Sequence, residues 1–140
     1  MPSYLIALTD EELDAYDIQN LRVPYKTYTP KGQSQTTKFT AKNTSGILQN
    51  LEGYFSSAYP YQKLDFDAVP NFTFGAMENV GLVTYRSSLL LLDDEPRLAE
   101  QSTILNVIAH ELAHMWYGNL VTTAWWINLW PKTLHLDPSA

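Results

Sequence analysis

The sequence predicts an α+β fold, because strand-like segments come first and a long apolar helix follows them. In the strand-like segments, apolar residues alternate or cluster between turn residues, whereas in the later segment they recur at helical spacing. At 140 residues, the chain can bury one modest core, so we expect one domain or part of a larger one. We expect the strands to form one mixed sheet.

The first third of the chain predicts two strands. Residues 4–9, YLIALT, predict a buried strand that ends at the acidic turn of residues 10–14. Residues 18–28 predict a second strand, with Pro24 at a position that suits a sheet edge. The Pro, Gly and Ser content of residues 29–35 predicts a loop.

The middle of the chain predicts a helix and then further strands. The helix is expected over residues 45–58, and Pro60 closes it. Its apolar residues recur at helical spacing, at Ile47, Leu48, Leu51, Tyr54 and Phe55. Residues 63–92 return to a strand-like pattern with a turn at Asn71.

A long helix is expected after the acidic pair at residues 93–94. Pro96 suits the first turn, and Ser102 or Thr103 suits the cap of the main segment. Gly118 suits the left-handed position beyond the C-terminal end. The apolar stripe that we expect to face the core consists of Ile104, Leu105, Ile108, Leu112 and Met115 or Trp116.

The composition excludes several classes of protein. An apolar fraction of 45% excludes a disordered chain, and the absence of cysteine excludes disulfides and thiolate chemistry. The net charge of −6 offers no basic surface, so we expect no nucleic-acid partner. Residues 1–14 lack a basic signal-peptide region, and the run LLLL is too short to cross a bilayer. We therefore expect a soluble segment without membrane insertion, in a compartment that the sequence leaves open.

The strongest chemical signal is the pattern H-E-x-x-H at His110, Glu111 and His114. On a helix the two histidines lie about 40° apart in projection, so both imidazoles can reach one zinc ion. Glu111 is rotated about 100° further, where it suits the role of general base for an attacking water molecule. The alternative is a fortuitous His-Glu pair on an exposed helix face, which the apolar surroundings make the poorer interpretation.

A second signal is the motif GAMEN, residues 75–79, directly before a strand-like run. Alone, it would be a turn with a solvated loop carboxylate at Glu78. Beside a zinc-binding helix, that carboxylate could instead bind the ammonium group of a ligand. Gly75 would then allow the backbone to approach the substrate closely.

With these two motifs in this order, the chain resembles the M1 (aminopeptidase N-like) zinc metallopeptidases. The resemblance is strongest over residues 59–86 and 107–130 and extends from about Tyr4 to Trp130. It implies a partial catalytic domain of the thermolysin-like (zincin) fold over residues 1–130, in which a mixed sheet precedes the active-site helix. The other parts of such an enzyme are expected to lie outside this segment.

The resemblance also implies residue roles. His110 and His114 would ligate one Zn²⁺ ion, and Glu111 would act as general base. Glu78 would hold the free N-terminal amine of a peptide substrate, whose first peptide bond is hydrolysed. The other expected substrate-binding residues are Gly75, Ala76, Met77 and Asn79. The form GAMEN, rather than GGMEN, points to the broad-specificity aminopeptidase branch.

One departure from the family pattern affects the metal site. The family's third zinc ligand is a glutamate that lies nineteen positions after the second histidine, where this chain has Thr133. A threonine hydroxyl is a poor zinc ligand, and Pro131 disturbs the helix expected there. His135 or Asp137 are chemically suitable replacements, although unstructured terminal side chains are the more ordinary interpretation.

We therefore treat residues 131–140 as a divergent C-terminal tail, for which three explanations compete. The tail could reflect a shifted reading frame or altered splice, a truncated paralogue that has lost catalysis, or a working enzyme with an unusual third ligand. The main alternative function is a catalytically inactive peptide-binding remnant. A weaker alternative is an endopeptidase built on the same helix.

Overall fold

The computed structural model describes residues 3–18, 21–92 and 97–122. The strands are β1 (Leu13–Ile18), β2 (Tyr25–Pro30), β3 (Leu64–Val69), β4 (Ala76–Met77) and β5 (Leu82–Arg86). They form one sheet in the order β1-β2-β3-β5-β4. Within the described ranges the α-helices are α1 (Lys38–Phe55) and α2 (Leu98–His114).

The sheet is mixed, which confirms the predicted α+β architecture. β2, β3 and β5 are parallel, whereas β1 and β4 pair antiparallel to their neighbours. Helix α1 connects β2 to β3, as a parallel pair requires a crossover connection. The short strand β4 therefore lies at one edge of the sheet, where Ala76 pairs with Tyr85 and Met77 pairs with Thr84.

The core lies where the sheet and both helices meet. Tyr25, Phe66 and Tyr85, from three adjacent strands, stack in sequence with ring centroids 4.9 Å apart in each pair. The predicted stripe of α2 contributes Ile104, Ile108, Leu112, Met115 and Trp116, all of which are buried, whereas Leu105 is half-buried. The apolar periodicity of α2 is thus confirmed, and it fixes which face of the helix contacts the sheet.

The predicted strand at residues 4–9 is wrong. Residues Ser3–Leu5 form a short 3₁₀ turn, and the side chain of Leu8 is almost fully exposed. Leu5 is buried, and its carbonyl accepts from the Val80 N–H, so the segment packs against the residues that follow β4. The first strand instead begins at Leu13, inside the predicted acidic turn, and the second covers only the later part of residues 18–28 and continues to Pro30.

Helix α1 begins at Lys38 rather than near residue 45, and it ends at Phe55. Its first half was missed because its buried face is polar. Thr40 donates its hydroxyl to the Leu90 carbonyl at 2.6 Å, and Thr44 donates to the Thr40 carbonyl at 2.8 Å. Threonines leave no apolar periodicity to detect in the sequence. Their hydroxyls are hydrogen-bonded, however, so the helix face that carries them can be buried.

Two smaller predictions about the helices are also wrong. Tyr54 is 76% exposed and does not belong to the core stripe of α1. Helix α2 is capped by Arg97, whose N–H donates to Glu100 at 3.0 Å, so Ser102 and Thr103 lie inside the helix. In residues 63–92 the predicted strands are confirmed as β3 and β5, but Ser87–Leu89 form a short 3₁₀ turn instead of continuing the strand, and β4 was not predicted. Asn71 adopts the positive φ of a turn, +55°.

Leucine-to-alanine substitutions at two positions of α2 test this packing. Leu112 is fully buried and Leu98 is 80% exposed. We expect Leu112→Ala to lower the free energy of unfolding by about 3 kcal/mol, because it removes buried methyl groups and leaves a cavity. Leu98→Ala, the matched control, should change it by less than about 0.5 kcal/mol. Urea unfolding followed by circular dichroism measures both, and equal losses would contradict the helix orientation.

Candidate active site

The last turn of α2 carries the H-E-x-x-H residues, as the sequence predicted for a helix. Glu111 and His114 are buried, with 7% and 8% of their surface exposed, whereas His110 is exposed. The helix ends at His114. The three side chains therefore lie where α2 meets the loop that follows it.

The two histidines direct their Nε2 atoms toward each other, 3.1 Å apart. His114 also places Nδ1 at 3.1 Å from the Tyr117 carbonyl oxygen. A carbonyl only accepts, so Nδ1 carries a proton, and in the neutral ring the lone pair of His114 is on Nε2, facing His110. A ring whose second nitrogen donates to a backbone carbonyl is typical of metal-ligating histidine.

A backbone reversal after His114 shapes this end of the helix. Gly118 has φ = +130°, which glycine adopts without the strain that a side chain would bring. The reversal lets the Asn119 N–H donate to the His114 carbonyl at 3.0 Å and the Val121 N–H donate to the Trp116 carbonyl at 2.8 Å. These bonds satisfy carbonyl groups that the helix end leaves without partners. The predicted left-handed position at the helix C-terminus is therefore wrong for Gly118, which lies four residues beyond the helix end, although its φ is positive.

Glu78 reaches the same place from the sheet. It follows β4 directly, and its backbone carbonyl accepts from Asn119 Nδ2 at 2.9 Å. Asn119 thus joins the residue after β4 to the loop after α2 through one side-chain amide. Glu78 is buried, with 8% of its surface exposed, which excludes the alternative of a solvated loop carboxylate.

Glu78, Glu111 and His114 form a buried cluster in which one potential ligand atom from each lies within 4.8 Å of the others. Two carboxylate charges at such a separation repel by about 3 kcal/mol at an effective dielectric constant of about 20. Burial adds a desolvation cost that a cation or several hydrogen bonds must offset. Imidazole and carboxylate are ligands that zinc prefers, so this donor set fits a divalent cation.

The remaining residues of the GAMEN motif lie along the edge of the sheet. A Cβ atom on Gly75 would lie 3.2 Å from Leu89 Cδ1, so close packing inside the protein already favours glycine there. Ala76 and Met77 form β4 and are half-buried. Asn79 donates to the Tyr4 carbonyl at 3.0 Å and accepts from the Thr84 hydroxyl at 3.0 Å, so its amide orders the turn. Contacts of these four residues with a substrate stay a prediction.

A tyrosine hydroxyl lies buried near the cluster. Tyr85 belongs to β5, and its hydroxyl has no hydrogen-bond partner among the described residues. Burial raises the pKa of Tyr85 far above its usual value, and the nearby Glu111 charge raises it further. Tyr85 therefore stays neutral at every physiological pH, and it presents a protonated side chain to the region around Glu111.

Several predicted positions lie outside the described residues. These are Pro96 near the start of α2, Thr133 at the expected third-ligand position, Pro131, His135 and Asp137. The whole tail, residues 131–140, is among them.

Sequence reasoning missed Asn119 and Tyr117, which support the cluster rather than form it. Tyr117 contributes its backbone carbonyl, which no side-chain pattern can reveal. Asn119 left a signal, because an asparagine directly after a turn glycine commonly bonds to nearby backbone. The contact of Asn119 with Glu78, 41 positions earlier in the chain, had no such signal.

Comparison with known proteins identifies the class to which this site belongs. Residues 39–133 match the Peptidase family M1 domain. The chain belongs to peptidase family M1, a family of hydrolytic enzymes that includes zinc-dependent aminopeptidases. This finding confirms the resemblance predicted from the two motifs.

Named relatives agree with this assignment. The chain is 40% identical over 132 residues to glutamyl aminopeptidase of Bos taurus. It is 44% identical over 131 residues to mitochondrial aminopeptidase 2 of Saccharomyces cerevisiae, and 41% identical over 134 residues to aminopeptidase M1-A of Oryza sativa. Each alignment covers 93% of this chain but only 14–15% of the relative. Within the described residues, neither helix has the length and apolar character needed to cross a bilayer.

The amide of Asn119 offers a direct test of how the cluster is held. We expect Asn119→Ala to weaken Zn²⁺ binding by about 10–100-fold, because the residue that follows β4 loses its link to the end of α2. Asn106→Ala, at an exposed asparagine on α2, is the control and should leave the affinity unchanged. Competition against a chromophoric chelator measures both, and equal affinities for the two variants would exclude the positioning role.

Proposed function

We propose that this chain carries the metal-binding and amine-binding residues of a zinc-dependent aminopeptidase. The reaction is hydrolysis of the N-terminal peptide bond of a peptide with a free amine. The observation that supports it most is the meeting of His110 and His114 through Nε2 at 3.1 Å, beside two buried carboxylates. Family membership supplies the reaction class, and the relatives are named aminopeptidases.

In this proposal His110 and His114 hold one Zn²⁺ ion. When bound, the ion supplies Lewis-acid polarisation of the scissile carbonyl and acidifies nearby water. Glu111 projects from the same turn of α2, so it can accept the proton of the attacking water and pass it to the leaving amine.

The edge of the sheet suits the binding of an extended peptide. Among the described strands, none pairs with the outer edge of β4, so its backbone groups can pair with a substrate strand. The buried carboxylate of Glu78 follows directly and would accept hydrogen bonds from the substrate ammonium. Gly75, Ala76, Met77 and Asn79 complete the proposed substrate-binding segment. An anchor for a charged amine selects exopeptidase over endopeptidase action.

The domain assignment belongs to the same proposal. Residues 1–130 would form part of a thermolysin-like catalytic domain, with residues 131–140 as a divergent tail. The mixed sheet followed by the H-E-x-x-H helix supports the first part of this assignment. The compartment in which the protein acts does not follow from these features.

A second function is favoured by one position of the sequence. Thr133 occupies the place where the family pattern has the third zinc ligand. In this alternative the chain keeps the Glu78 anchor and binds peptides without hydrolysing them. The two functions differ in turnover rather than in the ligand that they recognise.

Turnover of an alanyl chromogenic amide separates the two functions. We expect the zinc-loaded chain to release the chromophore and Glu111→Gln to reduce the rate by about 10²–10⁴-fold, because the isosteric amide cannot accept a proton. Glu12→Gln removes an exposed carboxylate and should retain the rate. The N-acetylated amide should not be cleaved, whereas its cleavage would support the endopeptidase. Absence of turnover with zinc bound would contradict the aminopeptidase and support the peptide-binding alternative.

A further inference from the structure

We propose that Glu78 is the third metal ligand of this chain when no peptide is bound. The inference rests on the proposed function, since it requires that His110 and His114 hold the metal. It differs from the amine-anchoring role in giving the Glu78 carboxylate a second partner. It also makes a metal ligand of a residue for which the sequence predicted substrate binding.

The distances bring Glu78 into the range of a shared ion. Ligands about 2.0–2.1 Å from a tetrahedral zinc ion lie about 3.4 Å from one another. The two histidine Nε2 atoms, 3.1 Å apart, are already close to that separation. Glu78 offers an atom within 4.8 Å of the ligand atoms of Glu111 and His114. His110 lies outside that group and joins it through His114.

The backbone presents Glu78 from a fixed position. Its carbonyl accepts from Asn119, whose own N–H donates to the carbonyl of His114 at 3.0 Å. Glu78 and His114 are therefore linked through a single intervening residue. A ligand held in this way loses little conformational freedom when it binds a metal ion.

Helix geometry assigns the ligand role to Glu78 rather than to Glu111. Glu111 follows His110 directly, so it lies about 100° around the helix from that histidine, whereas His114 lies about 40° away. Glu78 comes from the sheet and approaches the histidines from outside the helix. Ligation by Glu78 leaves Glu111 to accept a proton.

One consequence distinguishes this chain from a site with three dedicated ligands. The ammonium of a peptide and the metal ion compete for the same carboxylate. Binding of a free-amine peptide therefore weakens metal binding, and by linkage the metal weakens peptide binding equally. An N-acetylated peptide has no ammonium and leaves the metal affinity unchanged.

The experiment measures the Zn²⁺ dissociation constant of the full chain by competition with a chromophoric chelator. We expect Glu78→Gln to weaken binding by about 100-fold or more, because a neutral amide replaces a charged ligand. Glu78→Asp keeps the charge and should recover part of the affinity. Glu12→Gln should leave the affinity within about threefold of the parent chain, and circular dichroism checks the fold of each variant.

The outcomes separate this inference from the proposed function. If His110→Ala and His114→Ala weaken zinc binding while Glu78→Gln does not, the third-ligand role is overturned and the histidine site stands. If neither histidine variant changes the affinity, the proposed function fails as well. Thr133→Glu supplies the family's ligand. In that background, Glu78→Gln should weaken Zn²⁺ binding by less than about tenfold. An equal loss in both backgrounds shows a structural effect of Glu78 and overturns the proposal.

Discussion

The joining of α2 to the edge of the sheet is the contact on which the candidate site depends. Asn119 makes it, because one side chain contacts the residue after β4 while its backbone bonds to the last residue of α2. Gly118 permits the reversal that brings Asn119 back to the helix end. The contacts of Asn119 thus bring the two sequence motifs together in one cluster.

The sequence predicted the elements whose buried faces are apolar and missed those whose buried faces are polar. Helix α2 and strands β3 and β5 follow hydrophobic periodicity and were found. The first half of α1 was missed because Thr40 and Thr44 bury hydroxyls that bond to carbonyls. The apolar run at residues 4–9 was wrongly predicted as a strand, since alternation cannot tell whether a partner strand exists. Tertiary contacts decide both cases, and they are absent from local patterns.

In the candidate site too, local sequence patterns predicted some contacts, whereas others depend on tertiary structure. The proximity of His110 and His114 follows from helix geometry alone, so the spacing of four residues was sufficient to predict it. The approach of Glu78 to His114 depends on the sheet order, which places β4 at an edge, and on the turn that follows β4. The resemblance to a family suggested that the two motifs share a site. Hydrophobic periodicity alone could not have predicted this. The contacts of Asn119 and the Tyr117 carbonyl depend on the loop after α2, where side-chain patterns carry little information.

Charge balance connects the metal and the substrate at this site. Two buried carboxylates within 4.8 Å of His114 are costly in an otherwise apolar interior, and a positive partner reduces that cost. A metal ion and a peptide ammonium are both such partners, and in the proposed site Glu78 would bind whichever is present. With a glutamate at position 133, the metal would be satisfied independently and Glu78 would be left to the ammonium. Thr133 removes that independence, so in the proposed site the affinities for zinc and for a free amine would both depend on the Glu78 carboxylate.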